Sequence, residues 1–275
     1  GRFAFINGVT TNLGGRMQVS MVHRYYSRAY HTFYGSAFGE NTRVQNEEGF
    51  YGGFRLALIK NWHLAFYTDF FRFPWLKYGV DAPSFGKEYM IQGEYSRNSF
   101  NAIIQFRLKQ KQTNNPDSGE VYNELINTEN QRFRLHLSYR PTNRFNLATR
   151  LESGIYSRAT FSKELSYLLY QDVQYNFMRF PLRIYLRYAL FDAESYNSRI
   201  YAYESDVLYA FSMNAYYREG QRYFVMMKYS PVKAFDFWLK YSRSVYPHET
   251  TISSGLYQID HNSRSDIRFQ MLIKF

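Results

Sequence analysis

Residues 264–275 constrain this chain more than any other stretch. Ile267, Phe269, Met271, Ile273 and Phe275 fall on one side of an extended backbone. Arg264, Asp266, Arg268, Gln270 and Lys274 fall on the other, and Leu272 alone breaks the alternation. Successive side chains of a β-strand point to opposite faces, so this is a strand with one apolar and one charged face. About ten residues, tilted, cross the hydrocarbon of a bilayer.

The same period of two returns along the chain. Phe133, Leu135, Leu137 and Tyr139 oppose Arg132, Arg134, His136 and Ser138. Leu182, Ile184, Leu186, Tyr188 and Leu190 oppose Arg183, Tyr185 and Arg187. Phe235, Phe237, Leu239 and Tyr241 oppose Asp236, Trp238 and Lys240, while Trp62, Leu64, Phe66, Thr68 and Phe70 oppose His63, Tyr67 and Asp69. Further strands are expected over roughly 2–9, 15–25, 49–59, 86–96, 99–110, 144–156, 165–177 and 221–230. The connections alternate as well. Short turns fall at Lys60-Asn61, Ser96-Arg97-Asn98, Pro141-Thr142-Asn143, Met178-Arg179-Phe180 and Pro231-Val232-Lys233. Longer polar loops fall at about 26–48, 73–85, 111–130, 157–164, 192–220 and 246–262.

Short turns at one end and long loops at the other are the layout of an outer-membrane barrel. The expected fold is therefore all-β: a transmembrane antiparallel β-barrel with about 13–14 strands in this chain, forming one domain over 1–275. A soluble β-sandwich also alternates apolar and polar faces. Its strands average about five or six residues, though, and its loops do not alternate short and long in this way. With the final strand running down to a periplasmic C-terminus, every short turn falls on the periplasmic side.

Composition agrees. Aromatics are 20% of the 275 residues, with 28 Tyr and 25 Phe, yet mean hydropathy is −0.50. Tyrosine is apolar along its ring and wet at its hydroxyl, which suits a membrane–water interface. No run of 18 apolar residues is present to make a transmembrane helix. There is no cysteine, hence no disulfide and no thiolate metal site. The chain opens Gly1-Arg2-Phe3 without a leader-like segment, and the expectation is a processed product or part of a longer protein. An odd number of strands near thirteen also suggests a barrel that does not close alone.

The net charge is +11, and alternation decides where that charge sits. Arg55, Arg107, Arg132, Arg134, Arg150, Arg183, Arg187, Arg222, Arg264 and Arg268 are expected to face the lumen, with Lys109, Lys228, Lys240 and Lys274. Asp69, Glu88, Glu94, Glu152, Asp172, Asp236 and Asp266 share that face. Such a lumen either prefers anions or an acidic plug, or is filled by cross-strand ion pairs. Phe71, Phe73, Trp75 and Tyr78 form an aromatic loop or girdle segment, which is either the upper membrane belt or a surface for glycan or lipopolysaccharide. The connection 192–220 is expected to be a long loop, a plug or an extra hairpin. Its stretch 196–219 is too apolar for a free loop, so it is expected to fold inward as a plug, pack over the barrel mouth or form an extra hairpin.

Catalysis finds little to stand on. His23, His31, His63, His136, His248 and His261 are scattered, with no metal-ligand spacing. His136 and Ser138 lie about 7 Å apart on one strand face, too far for a nucleophile and its base. Gly14-Gly15 and Gly52-Gly53 are a turn and a thinning of a strand, not a phosphate-binding loop.

Several segments resemble outer-membrane proteins of Bacteroidota that carry a helix-hairpin-helix domain. They are Tyr25-Tyr26-Ser27, Phe33 to Asn41, Asn46-Glu47-Glu48-Gly49, Phe71 to Leu76, Val80 to Ser84, Leu169 to Val173, the 190–211 block and Ile252 to Leu256. The resemblance implies the C-terminal barrel part of a longer protein whose N-terminal region is similar to that of competence DNA-uptake proteins. No residue of this chain inherits nucleic-acid binding from it. The expectation is thus a pore or transport barrel, or the membrane-embedded subunit of an envelope or secretion assembly. A component of DNA uptake is the alternative by family analogy, and an outer-membrane enzyme a third. No cofactor and no metal are expected. The expected partners are outer-membrane lipid or lipopolysaccharide and other envelope proteins in a complex, and the expected location is the bacterial outer membrane.

Overall fold

The computed structural model describes residues 2–116, 123–159 and 161–275. The middle of the loop expected over 111–130, and one residue of that expected over 157–164, lie outside them. The strands of the first half are β1 (Ala4–Leu13), β2 (Met17–Tyr26), β3 (Glu47–Ile59), β4 (Trp62–Phe73), β5 (Ser84–Arg97), β6 (Phe100–Asn114), β7 (Leu125–Thr142) and β8 (Phe145–Arg158). Then come β9 (Glu164–Asn176), β10 (Leu182–Ala193), β11 (Ile200–Glu204), β12 (Ser212–Tyr216), β13 (Gly220–Val232), β14 (Phe235–Val245) and β15 (Ser263–Ile273). Among the described residues, thirteen strands make one antiparallel sheet in chain order from β1 to β10 and then β13, β14 and β15. β11 and β12 pair only with each other, as a hairpin inside the 192–220 connection.

Local sequence explains the turns. Asn61 and Asn98 take φ of 70° and 50° in the tight connections after β3 and β5, a left-handed conformation that asparagine tolerates. Gly14 and Gly15, at 57° and 70°, do the same between β1 and β2. At the other end, β6 and β7 run several residues farther into the expected 111–130 loop than the apolar alternation reaches. Their extensions are polar and hold together by hydrogen bonds, with the buried Thr128 hydroxyl donating to the Lys111 carbonyl at 3.0 Å. Hydrophobic periodicity stops before the ladder does.

The polarity of the sheet is inverted relative to a water-soluble domain. Ile267 and Phe269 are 70% and 67% exposed, and Leu186, Leu190 and Leu239 are exposed too. Meanwhile Arg24, Glu47, Glu88 and Lys240 are buried on the opposite face. Leu272, the residue that breaks the alternation of the final strand, is on the charged side and packs with Phe224, Met226 and Trp238.

By contact density the chain divides into two units. One is Gly1–Tyr95 with Ile104–Phe133 and Ile155–Lys163; the other is Ser96–Ile103 with Arg134–Gly154 and Glu164–Phe275.

Candidate functional site

In the first unit the charged face is a matched network. Arg24 of β2 donates from Nε to Glu47 at 2.7 Å and from its two terminal nitrogens to Asp69 at 2.8 and 3.1 Å. Gly49 sits where a Cβ would lie 2.4 Å from the Arg24 guanidinium carbon, so glycine is what lets that side chain lie flat on the sheet. Arg107 grips Glu88 with two bonds of 2.7 and 2.8 Å. Lys109 bridges Glu88 and Glu40, and Arg55 reaches Glu94 at 3.4 Å. Glu47 also accepts the backbone N–H groups of Glu40 and Asn41, which folds part of the β2–β3 connection onto this face.

The second unit contains the more unusual arrangement. The hairpin β11–β12 turns one side of each strand onto the sheet: Ile200, Ala202 and Tyr216 are buried with Leu168, Tyr170, Ala189 and Phe191 of β9 and β10. Its tip places Val207 and Leu208 against the Phe224, Met226 and Trp238 cluster. That apolar seat is why 196–219 does not read as a free loop.

Between the two apolar patches lies a charged clasp. Glu204, fully buried, accepts two bonds of 2.8 Å from Arg222. Lys240 lies 2.7 Å from its Oε1, which one Arg222 nitrogen also bonds, and Asn214 donates to its Oε2 at 2.9 Å. Asp206 accepts from the Ser212 hydroxyl and contacts Lys240 at 3.2 Å and Arg268 at 2.5 Å. Burial pushes the Asp206 carboxyl up, but Ser212, the Val207 N–H and Lys240 outweigh it and hold the group below the usual carboxylate range. Two further arginines hold the hairpin by its main chain: Arg150 donates to the Tyr201 carbonyl at 3.1 Å and Arg187 to that of Tyr203 at 2.6 Å.

Of the ten arginines singled out by alternation, Arg150, Arg187, Arg222 and Arg268 thus converge on the hairpin. Arg134 joins Arg150 on Glu152, and Arg187 also holds Asp172. Arg132 bonds Asn130 and Arg183 bonds the Tyr185 hydroxyl. Arg264 lines a small cavity beside Tyr216 and Arg268. The four aromatics of 71–78 divide into two pairs. Phe71 and Phe73 are buried on the same side of β4 as Asp69, whereas Trp75 and Tyr78 are exposed in the following loop. The acidic partners Glu204 and Asp206 escaped sequence reasoning, because a five-residue strand in a long connection has too few alternations to assign a face. Among the described residues no cluster of His, Cys, Asp or Glu is arranged to hold a metal ion.

No family model and no curated protein matches the sequence. Among solved structures the chain is similar to the copper transporter OprC, with TM-score 0.53 and 11% identity over 88% of this chain and 43% of that one. The fold is that of an outer-membrane β-barrel. CdiB from Acinetobacter baumannii is similar at TM-score 0.49 and 11% identity, over 98% of this chain and 50% of that one. The ferric yersiniabactin uptake receptor FyuA from Yersinia pestis follows at 0.44 and 10%, over 98% and 49%. The chain therefore spans about half or less of the length of these structures.

Proposed function

We propose that this chain is the membrane-spanning part of an outer-membrane transport protein in which the β11–β12 hairpin acts as a plug. In this reading the apolar face meets lipid, including lipopolysaccharide, the arginine-rich face lines the passage, and the C-terminus is periplasmic. One observation carries it: a fully buried hairpin carboxylate, Glu204, is gripped by Arg222 and Lys240 of the sheet. An acidic element docked in a basic face is what a plugged, anion-favouring lumen requires. The exposed Leu, Ile and Phe side chains support the membrane setting, since large contiguous apolar surface is costly in water. A place among the helix-hairpin-helix outer-membrane proteins of Bacteroidota belongs to the same reading.

Single-channel recording of the full-length protein in planar bilayers tests it. We expect little current from the intact protein and steady current once residues 199–217 are replaced by a short Gly-Ser linker. Absence of current from both forms would leave only a membrane-anchor role and end the transport reading.

A further inference from the structure

A second candidate site lies in the loops of the first unit and does not depend on the hairpin. The 41–46 segment and the 74–79 turn enclose a cavity of about 520 Å³. Asn46 ties its walls together: its Nδ2 donates to the carbonyls of Trp75 at 2.9 Å and Leu76 at 3.2 Å, and its Oδ1 accepts the Trp75 N–H at 2.9 Å. Asn46 is buried and holds a left-handed φ of 54°. Asparagine tolerates that conformation, and the three hydrogen bonds fix it here. The cavity is thus built before any ligand arrives, which lowers the ordering cost of binding.

Its lining is basic and aromatic. Arg28, Arg43 and Lys77 surround it, with Trp75 and Tyr78. The Arg28 guanidinium lies 4.3 Å over the Trp75 ring, and the Lys77 ammonium 3.1 Å from the Phe73 ring centre. Among the described residues, none of these three cations has a carboxylate at ion-pair distance. The acids that approach are already engaged, Glu47 with Arg24 and Glu40 with Lys109. On the charged face of the sheet in this unit, Arg24, Arg55, Arg107 and Lys109 are each matched by an acid. Three unmatched cations around one preformed cavity call for an anion from outside.

The shape narrows the class. Guanidinium forks favour phosphate over a simple halide, and the volume is in the range of small-molecule sites rather than of one small anion. Tyr78 is fully exposed and Trp75 half exposed, so both offer apolar ring surface beside the cations. We propose that this cavity binds a phosphorylated sugar, its phosphate among Arg28, Arg43 and Lys77 and its ring against Tyr78 and the open edge of Trp75. Two sources share that chemistry: the headgroup of a phosphorylated glycolipid in the membrane, and a free sugar phosphate.

The test is calorimetry on the full-length protein in detergent with glucose 1-phosphate, glucose and inorganic phosphate, and native mass spectrometry with lipid A in nanodiscs. We expect glucose 1-phosphate to bind at least tenfold more tightly than glucose. The Arg43→Gln/Lys77→Gln variant should weaken that binding at least tenfold, with an unchanged far-ultraviolet strand signal. Tyr78→Ala should weaken glucose 1-phosphate more than inorganic phosphate. Lipid A retained by the wild type and lost by the double variant assigns the membrane source; binding of the soluble sugar phosphate alone assigns the other. The proposal is overturned if neither probe binds, if glucose binds as tightly as its phosphate, or if the double variant binds as tightly as the wild type.

Discussion

The Lys240 ammonium of β14 lies 2.7 Å from the Glu204 carboxylate of β11, with side chains only 2% and 0% exposed. A buried pair adds little net stability compared with apolar residues of the same size, but removing one partner strands the other charge. The value of this contact therefore appears only when it is broken.

Glu204→Gln leaves Arg222 facing a neutral amide in a buried site and leaves Lys240 with the Asp206 carboxylate. A loss of about 3 kcal/mol is expected for the seated hairpin, or roughly a hundredfold shift toward its released form. Limited proteolysis between Arg199 and Arg218 reads this directly. Cleavage at the wild-type rate would show that the Glu204 clasp does not seat the hairpin.

Gly49→Ala puts a methyl group onto the Arg24 guanidinium and forces it off Glu47 and Asp69. A destabilisation of about 3–5 kcal/mol is expected, measured by urea unfolding in detergent. Gly52→Ala is the control, because its Cβ would meet nothing closer than the Phe50 ring at 3.6 Å, and it should change stability by less than about 1 kcal/mol. Equal effects from the two changes would refute the explanation.

Leu239 is exposed near the middle of β14. If that surface lies in lipid, Leu239→Arg should cost about 2–4 kcal/mol for folding into vesicles. On a water-facing surface the same change is worth within about 0.5 kcal/mol, and that smaller value would contradict a lipid-facing β14.

Lys77 is half-buried in the loop after β4, and burial together with neighbouring Lys111 lowers its pKa to about 8. The folded loop thus favours the neutral amine relative to the unfolded chain. Local stability is expected to rise as pH climbs from about 8 toward the usual lysine value near 10.5, and to be flat below 8, where both states carry the proton. NMR of a specifically labelled Lys77 should show a midpoint close to 8; a midpoint near 10.5 would mean the amine is solvated.

Most of the sheet was legible because membrane strands repeat one signal for ten residues or more. From β3 to β5 and from β13 to β15 most side chains follow the same two-fold alternation, although Phe71, Phe73, Phe224, Met226 and Trp238 add apolar groups to the charged face. The exception at Leu272 became intelligible only with Trp238 and Met226 beside it, since a contact across strands leaves no mark on the local pattern. The arginines of the charged face could be named from alternation, but not their partners. Asp172 is near Arg187 in sequence terms through a hairpin, whereas Glu204 reaches Arg222 and Lys240 only because an entire connection doubles back. Loop architecture of that kind depends on tertiary contacts, and the Asn46 clamp on Trp75 is another instance.

Arg150 and Arg187 hold the hairpin through the carbonyl oxygens of Tyr201 and Tyr203, not through their side chains. Those two rings point away from the buried side and are 44% and 48% exposed. A grip on peptide oxygens is blind to residue identity. The outward row of the hairpin is accordingly free to drift, so related chains can change what that surface presents while the element stays moored in one place.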